Sequence, residues 1–133
     1  MKKLEVIVSK AGKGISAHLP EVDGYVIARN SFEKLRKDLE KGLQFHIEGL
    51  WPEERQPWMD EAYSFEYRFE DIPSLLEGYQ GVLNQSILAR ISGINESLMR
   101  QYVSGIKHPG AKVKQRILHG LQMYADDLKT VSL

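Results

Sequence analysis

Residues 84–105 read NQSILARISGINESLMRQYVSG, and this pattern predicts two short helices joined by a tight turn. Asn84 and Asn95 are good N-cap residues, so a helix is expected to follow each of them. Gly93 tolerates the positive φ that a tight turn requires, and Gly105 ends the second helix. Small and apolar residues that can lock the two helices together lie at suitable offsets: Leu88, Ala89, Ile94, Met99 and Tyr102.

Two helices joined in this way can place the second one in the major groove of duplex DNA while the first crosses the backbone. On the second helix, Arg100 can bond guanine bidentately and Gln101 can bond adenine in the same manner. Between Asn84 and His119 the chain has six Lys and Arg residues but a single acidic one, Glu96. A concentrated basic segment is typical of a polyanion-binding surface. A helical module that binds only protein is the alternative.

The same segment resembles the XRE/Cro-type repressor family through its pattern Q-x-x-L-A-x-x-x-G, followed by an apolar residue, a cap and a later glycine. The resemblance implies six DNA-contacting positions: Gln85, Glu96, Ser97, Arg100, Gln101 and Lys107. Gln85 and Lys107 then contact phosphates, and the other four face the bases. Glu96 could accept a hydrogen bond from cytosine, or simply occupy a first helical turn that favours a carboxylate. A dimer that reads two half-sites about 34 Å apart is expected.

The first half of the chain predicts a small sheet with one helix across it. Short alternating segments predict three strands within residues 4–28, and Tyr63, Phe65, Tyr67 and Phe69 line one face of a fourth. A helix capped by Ser31 carries an apolar face of Phe32, Leu35, Leu39, Leu43, Ile47 and Leu50. The expected fold class is α+β: an antiparallel β-β-β-α-β module over residues 1–70, then an all-α domain over residues 71–133. The last helix of that domain presents Val113, Ile117, Leu121, Tyr124 and Leu128 on one face.

The order of motifs in the first half is similar to that of the HicB antitoxin family. The segments that carry the likeness are GISAHLP at 14–20, GYV at 24–26 and SFEKL at 31–35. The resemblance implies a partial RNase H-like fold joined to a helix-turn-helix domain. It also implies a partner, a small basic HicA-like toxin that cleaves mRNA. The protein is then the antitoxin of a type II toxin–antitoxin pair, which occludes the toxin and represses its own operon. The alternative is a freestanding XRE-type repressor whose first half dimerises or senses a ligand.

The two halves of the chain differ in net charge, which is consistent with a different binding partner for each. Residues 1–71 contain 11 Lys and Arg against 14 Asp and Glu, whereas residues 72–133 contain seven against four. An acidic first half suits a basic protein partner, and a basic second half suits DNA.

Catalysis is not expected of this chain. It has no cysteine, its four histidines lack metal-ligand spacing, and its carboxylates are too scattered for a metal-dependent nuclease. We therefore predict a non-enzyme without cofactor or metal. The aromatic row of the fourth strand is interpreted as core packing rather than as a stacking platform for nucleic acid. The sequence shows no signal peptide and no apolar stretch of membrane-spanning length, so a cytoplasmic protein is expected.

Overall fold

A computed structural model describes residues 1–133 and divides them into two compact units, Met1–Tyr79 and Gln80–Leu133. The chain combines a four-stranded mixed sheet with five α-helices, which fits the predicted α+β class. None of these helices has both the length and the apolar character needed to cross a bilayer.

The first unit contains the whole sheet. Its elements are β1 (Lys2–Ala11), β2 (Gly14–His18), β3 (Val26–Arg29), α1 (Phe32–Glu48), two short 3₁₀ helices (Pro52–Glu54 and Pro57–Asp60), β4 (Tyr63–Phe69) and α2 (Ile72–Gly78). The strands lie in the order β3-β2-β1-β4. The predicted order of elements, β-β-β-α-β, is confirmed.

The predicted orientation of the fourth strand is wrong. β4 pairs with β1 in parallel, in a register that runs from Lys2 opposite Tyr63 to Val8 opposite Phe69. The β1–β2 and β2–β3 pairs are antiparallel, so β3, β1 and β4 all point the same way. α1 connects β3 to β4 and carries the chain back along the sheet, and such a crossover returns the chain parallel to the strand it left.

The core of this unit lies between the sheet and α1. Alternate residues of the strands and the apolar face of α1 are buried there: Leu4, Val6, Val8, Ile15, Ala17, Ile27, Phe32, Leu35, Leu39, Leu43 and Ile47. The aromatic row of β4 is half-buried and packs against this core, as the core-packing interpretation predicted. The Phe32 ring meets those of Tyr67 and Phe69 edge-on, at centroid distances of 5.2 and 5.0 Å.

α2 belongs to the sheet unit, so the domain boundary predicted after residue 70 is misplaced. The hydroxyl of Ser74 is buried and accepts a hydrogen bond from the backbone N–H of Lys10 in β1, at 2.9 Å. Asp71 caps the helix by accepting from the Ser74 N–H, at 2.9 Å. Pro73 suits the first turn of a helix, but this local signal does not reveal that the helix packs on the strands. The boundary lies between Tyr79 and Gln80.

The second unit consists of three helices, α3 (Gln85–Ser92), α4 (Glu96–Ser104) and α5 (Ala111–Leu128). The first two begin and end at the residues that the sequence pattern predicted. α3 is in contact with both α4 and α5, so it forms the centre of this unit.

Candidate nucleic-acid interface

Three residues, Gly93 to Asn95, join α3 to α4 in a tight turn. Gly93 has φ of +67°, in the left-handed region that favours glycine. Asn95 begins α4 by accepting from two backbone N–H groups, those of Ser97 at 2.8 Å and Leu98 at 3.3 Å. Asn84 caps α3 in the same way and accepts from the N–H of Ile87 at 2.8 Å. The predicted caps and turn are confirmed.

Buried contacts hold the two helices at a defined angle. The residues that the sequence placed at the helix crossing are buried: Leu88, Ala89, Ile94, Met99 and Tyr102. The turn closes through the N–H of Ile94, which donates to the carbonyl of Ala89 at 3.0 Å. The second helix is therefore held by the same cluster that stabilises the first.

α5 supports the turn from the other side. The Arg116 guanidinium donates to the carbonyl of Gly93 at 2.5 Å. Gly120 lies so close to α3 that a Cβ there would stand 2.3 Å from the carbonyl oxygen of Ile91. The sequence contains no local signal for either contact, because Arg116 and Gly93 lie 23 residues apart.

One face of α4 is turned to solvent. Glu96, Ser97, Arg100 and Ser104 are exposed on it, whereas Met99 and Tyr102 form the opposite, buried face. Ser104 was not among the predicted DNA-contacting residues. Its spacing, four residues after Arg100 and seven after Ser97, could have identified it as a member of this face.

Gln101 does not project outward as predicted. Its side chain is half-buried, and its Oε1 atom is buried without a hydrogen-bond partner. A step of about 100° per residue places position 101 at the border of the exposed face, on the side of half-buried Leu98. Arg100 lies near the centre of the exposed face, so of the two residues predicted to bond a base bidentately it alone is fully available.

Two of the predicted positions, Gln85 and Lys107, lie outside α4. Gln85, the first residue of α3, is half-buried, and Lys107 is exposed two residues after Gly105. The carboxylate of Glu96 accepts a hydrogen bond from the hydroxyl of Ser86 at 2.5 Å and so ties the beginning of α4 to the beginning of α3. This contact engages one Glu96 oxygen within the protein.

The second unit has a positive charge balance. Residues 80–133 contain seven Lys and Arg against three Asp and Glu, a balance of +4, whereas residues 1–79 have a balance of −4. Two of the acidic residues, Asp126 and Asp127, lie near the end of α5, away from α4 in the sequence. The basic residues closest in sequence to the exposed α4 face therefore have few carboxylates to neutralise them.

Charged side chains on the surface of the sheet unit pair with one another, as Arg68 does with Glu5 at 2.6 Å. No group of three or more His, Asp or Glu side chains in the chain is arranged to hold a metal ion. Burial raises the pKa of the Tyr25, Tyr63 and Tyr67 hydroxyls. All three pack in or against the hydrophobic core, which accounts for the direction of these shifts.

No protein-family model, curated protein or solved structure matches this chain.

Proposed function

We propose that this protein binds duplex DNA in a sequence-specific manner through α4 and acts as a repressor. One observation carries the proposal: a capped helix with an exposed face of Ser97, Arg100 and Ser104 follows a three-residue turn and is held by buried contacts to α3. A helix so presented has the width and the hydrogen-bonding groups to enter a major groove. α3 and α4 then act as a helix-turn-helix of the XRE/Cro type.

Five of the six predicted contact positions have a defined part in this proposal, and the sixth, Glu96, is bonded to Ser86 instead. Arg100 reads a base, and guanine is the base that its guanidinium fits bidentately. Ser97 supplies a second, less selective contact from the first turn of α4. Lys107 and Gln85 contact phosphates and set the register of the helix on the duplex. Gln101 reaches a base only after its half-buried side chain rotates towards the exposed face of α4.

We further propose that the sheet unit binds a small basic protein, a HicA-like toxin, and occludes its active site. The order of elements and the strand order β3-β2-β1-β4 are compatible with the partial RNase H-like fold that the HicB resemblance implies. The charge balance of −4 in residues 1–79 favours a basic partner and speeds association with it. Together the two units form an antitoxin that represses its own operon.

DNA binding is tested first with the full chain. Selection from a random duplex library, followed by fluorescence anisotropy with the enriched sequence, gives the affinity and the ratio of specific to non-specific binding. Arg100→Ala is expected to reduce that ratio by about 5- to 150-fold, because a bidentate pair discriminates by roughly 1–3 kcal/mol. Lys129→Ala is the matched control, since it removes one positive charge from the same unit at a position outside the α3–α4 pair.

Loss of a phosphate contact should change the affinity and its salt dependence rather than the selectivity for one sequence. Lys107→Ala should weaken binding to all duplexes alike and lower the slope of log K against log salt by about 1. If Arg100→Ala binds the enriched sequence as selectively as the wild type does, α4 is not the helix that reads the bases.

Toxin binding requires a separate experiment. The reading frame next to this gene is co-expressed with the full chain, and a small basic protein is expected to co-purify and to lose ribonuclease activity in the complex. If DNA binding is found and no such partner exists, the freestanding repressor is the correct alternative.

A further inference from the structure

The sheet ends on one side at β4, and no other strand of the chain pairs with that side. The backbone N–H of Glu70, the residue after β4, donates to the carbonyl of Val8 in β1 at 2.9 Å. Because successive residues of a strand direct their backbone groups to opposite sides, the odd-numbered residues of β4 point theirs away from β1. The free edge therefore presents the N–H and C=O groups of four residues: Tyr63, Phe65, Tyr67 and Phe69. No backbone bond from elsewhere in the chain engages them.

β4 lacks the proline, lysine and bulge that commonly protect an exposed sheet edge. It has seven residues, and its register with β1 runs without interruption from Tyr63 to Phe69. The strand at the opposite edge, β3, has only four residues. A long and regular edge is a surface on which an extended protein segment can pair.

The aromatic row of β4 is only partly covered on the core face of the sheet. α1 lies over β2 and β3, so β4 stands to one side of the helix. The rings of Tyr63, Phe65 and Tyr67 pack in sequence and touch the core, and each keeps part of its surface in water. Apolar side chains of an added strand would cover these rings, as cross-strand pairs do within a sheet.

The acidic excess of the sheet unit is concentrated in and beside β4. Residues 60–71 contain five Asp and Glu against one Arg, a balance of −4, whereas the rest of residues 1–79 contain ten against ten. The one arginine, Arg68, already pairs with Glu5 of β1 at 2.6 Å. Three of the acidic residues form no ion pair within the chain: Glu61, Glu66 and Glu70. The edge therefore attracts a cationic segment.

The same charge disfavours a second copy of this chain as the occupant of the edge. Two copies paired through β4 would bring together two segments that each carry a balance of −4, and juxtaposed like charges oppose association. A strand with lysine or arginine at alternate positions has the opposite property. Its cations would lie on the polar face of the sheet beside Glu66 and Glu70, and its other side chains would lie over the aromatic row.

We propose that β4 is the docking edge for the basic protein partner, which adds an extended segment bearing lysine or arginine to the sheet as a fifth strand. The existence of a basic partner rests on the proposed function, and the structure adds the surface and the mode of binding. The backbone groups of the odd-numbered residues bond the added strand. The aromatic row covers its apolar side chains, and Glu66 and Glu70 face its cations.

A synthetic peptide in which lysine and valine alternate over about nine residues is the probe, because it can span all seven residues of β4. It is titrated into the full chain, and amide exchange is followed residue by residue by NMR. At saturation, exchange at Tyr63, Phe65, Tyr67 and Phe69 should slow by about 10-fold or more, and the amides that already donate to β1 should change less. The matched peptide with glutamate in place of lysine should bind at least about 10-fold more weakly.

One pair of variants tests the backbone contribution. Phe65→Pro removes an N–H that points to the free edge and no bond to β1, a position at which a sheet tolerates proline, and it should abolish peptide binding. Phe65→Ala removes the same ring but keeps the N–H, so it should bind the peptide more weakly than the wild type but measurably. Circular dichroism verifies that each variant retains its fold.

A second pair of variants tests the charge, and it decides the question if Phe65→Pro does not fold. Glu66→Lys should weaken binding of the lysine peptide several-fold. Asp23→Lys makes the same charge change in the turn before β3, at the opposite edge of the sheet, and should have little effect.

Three outcomes would overturn the proposal. One is a lysine peptide that fails to bind or that binds without slowing exchange at the odd-numbered residues of β4. Another is equal binding of the lysine and glutamate peptides. The third is a free wild type in which these amides are already protected, because the chain itself or a second copy then covers the edge.

The complex with the co-purified partner separates this proposal from the proposed function. If the partner is inhibited while the odd-numbered amides of β4 stay unprotected, the antitoxin function stands and the docking edge is wrong. If the lysine peptide binds as expected and no basic protein co-purifies, the docking edge stands and the antitoxin function is wrong.

Discussion

Gly120 is the position in the second unit where the structure leaves the least room for a side chain. A Cβ at this residue would stand 2.3 Å from the carbonyl oxygen of Ile91, 2.8 Å from its carbonyl carbon and 2.9 Å from the Cα of Ser92. All three neighbours are backbone atoms, so no side chain can rotate away to make room. Gly120→Ala must therefore push α5 away from α3 by about 1 Å.

Two opposing effects determine how much stability Gly120→Ala removes from the second unit. Forcing a methyl group into a packed contact costs about 1–3 kcal/mol, and the rigid backbone at this site puts the cost at the upper end of that range. Alanine has the higher helix propensity, which offsets about 1 kcal/mol. We expect the free energy of unfolding of the second unit to fall by about 2 kcal/mol, which lowers its melting temperature by roughly 10 °C.

Urea denaturation of the full chain, followed by residue-resolved hydrogen exchange, measures this loss separately for the two units. Gly110→Ala is the control, because Gly110 has an ordinary φ of −77° and the space that its Cβ would enter is open to 4 Å. Its effect should be below about 1 kcal/mol. If Gly120→Ala is as stable as the wild type or more stable, α5 does not cross α3 at this residue.

Three further predictions concern single polar groups. Asn95→Ala should lower the stability of the second unit by about 1 kcal/mol in urea denaturation, since two N–H groups of α4 lose their acceptor, and Asn95→Asp should restore it. Ser74→Ala leaves the N–H of Lys10 without its acceptor and should lower the stability of the sheet unit by about 1–3 kcal/mol in the same assay; a neutral result would mean that this bond is absent. Burial raises the pKa of Tyr25 above its ordinary value of 10.0, so its contribution to stability is complete below pH 10 and is lost as the pH rises through the folded-state pKa. Tyr25→Phe should cost about 1 kcal/mol at neutral pH, through the lost bond to the Leu39 carbonyl, and should flatten the alkaline fall in stability; an unaltered pH profile would contradict this assignment.

Local features of the chain were predictable because their causes are local. A capping side chain reaches an N–H two or three residues away, so Asn84 and Asn95 determine where α3 and α4 begin whatever surrounds them. Gly93 ends α3 for a reason contained in its own backbone dihedral. The strands and α1 were equally visible in the periodicity of their apolar residues.

Features that depend on distant packing were not predictable in this way. The parallel orientation of β4 follows from the path of α1 across the sheet, and a strand shows the same alternation in either orientation. Gln101 lies on the side of α4 that carries Leu98, and both residues are half-buried. How far that side of the helix is covered depends on the packing of the whole unit. Ser74 is a polar residue whose partner is 64 positions away, so only the folded chain identifies α2 as part of the sheet unit.

In the second unit, the order of amino acids is enough to specify the helices, the ends of the first two and the apolar face of α5. These features depend on interactions between residues no more than about four positions apart, so the local sequence determines them. The extent to which that face is covered is a property of the packed helices. α3 is less than half as long as α5, so it can bury only the first part of the face, and Tyr124 and Leu128 stay exposed although their spacing matches that of buried Ile117.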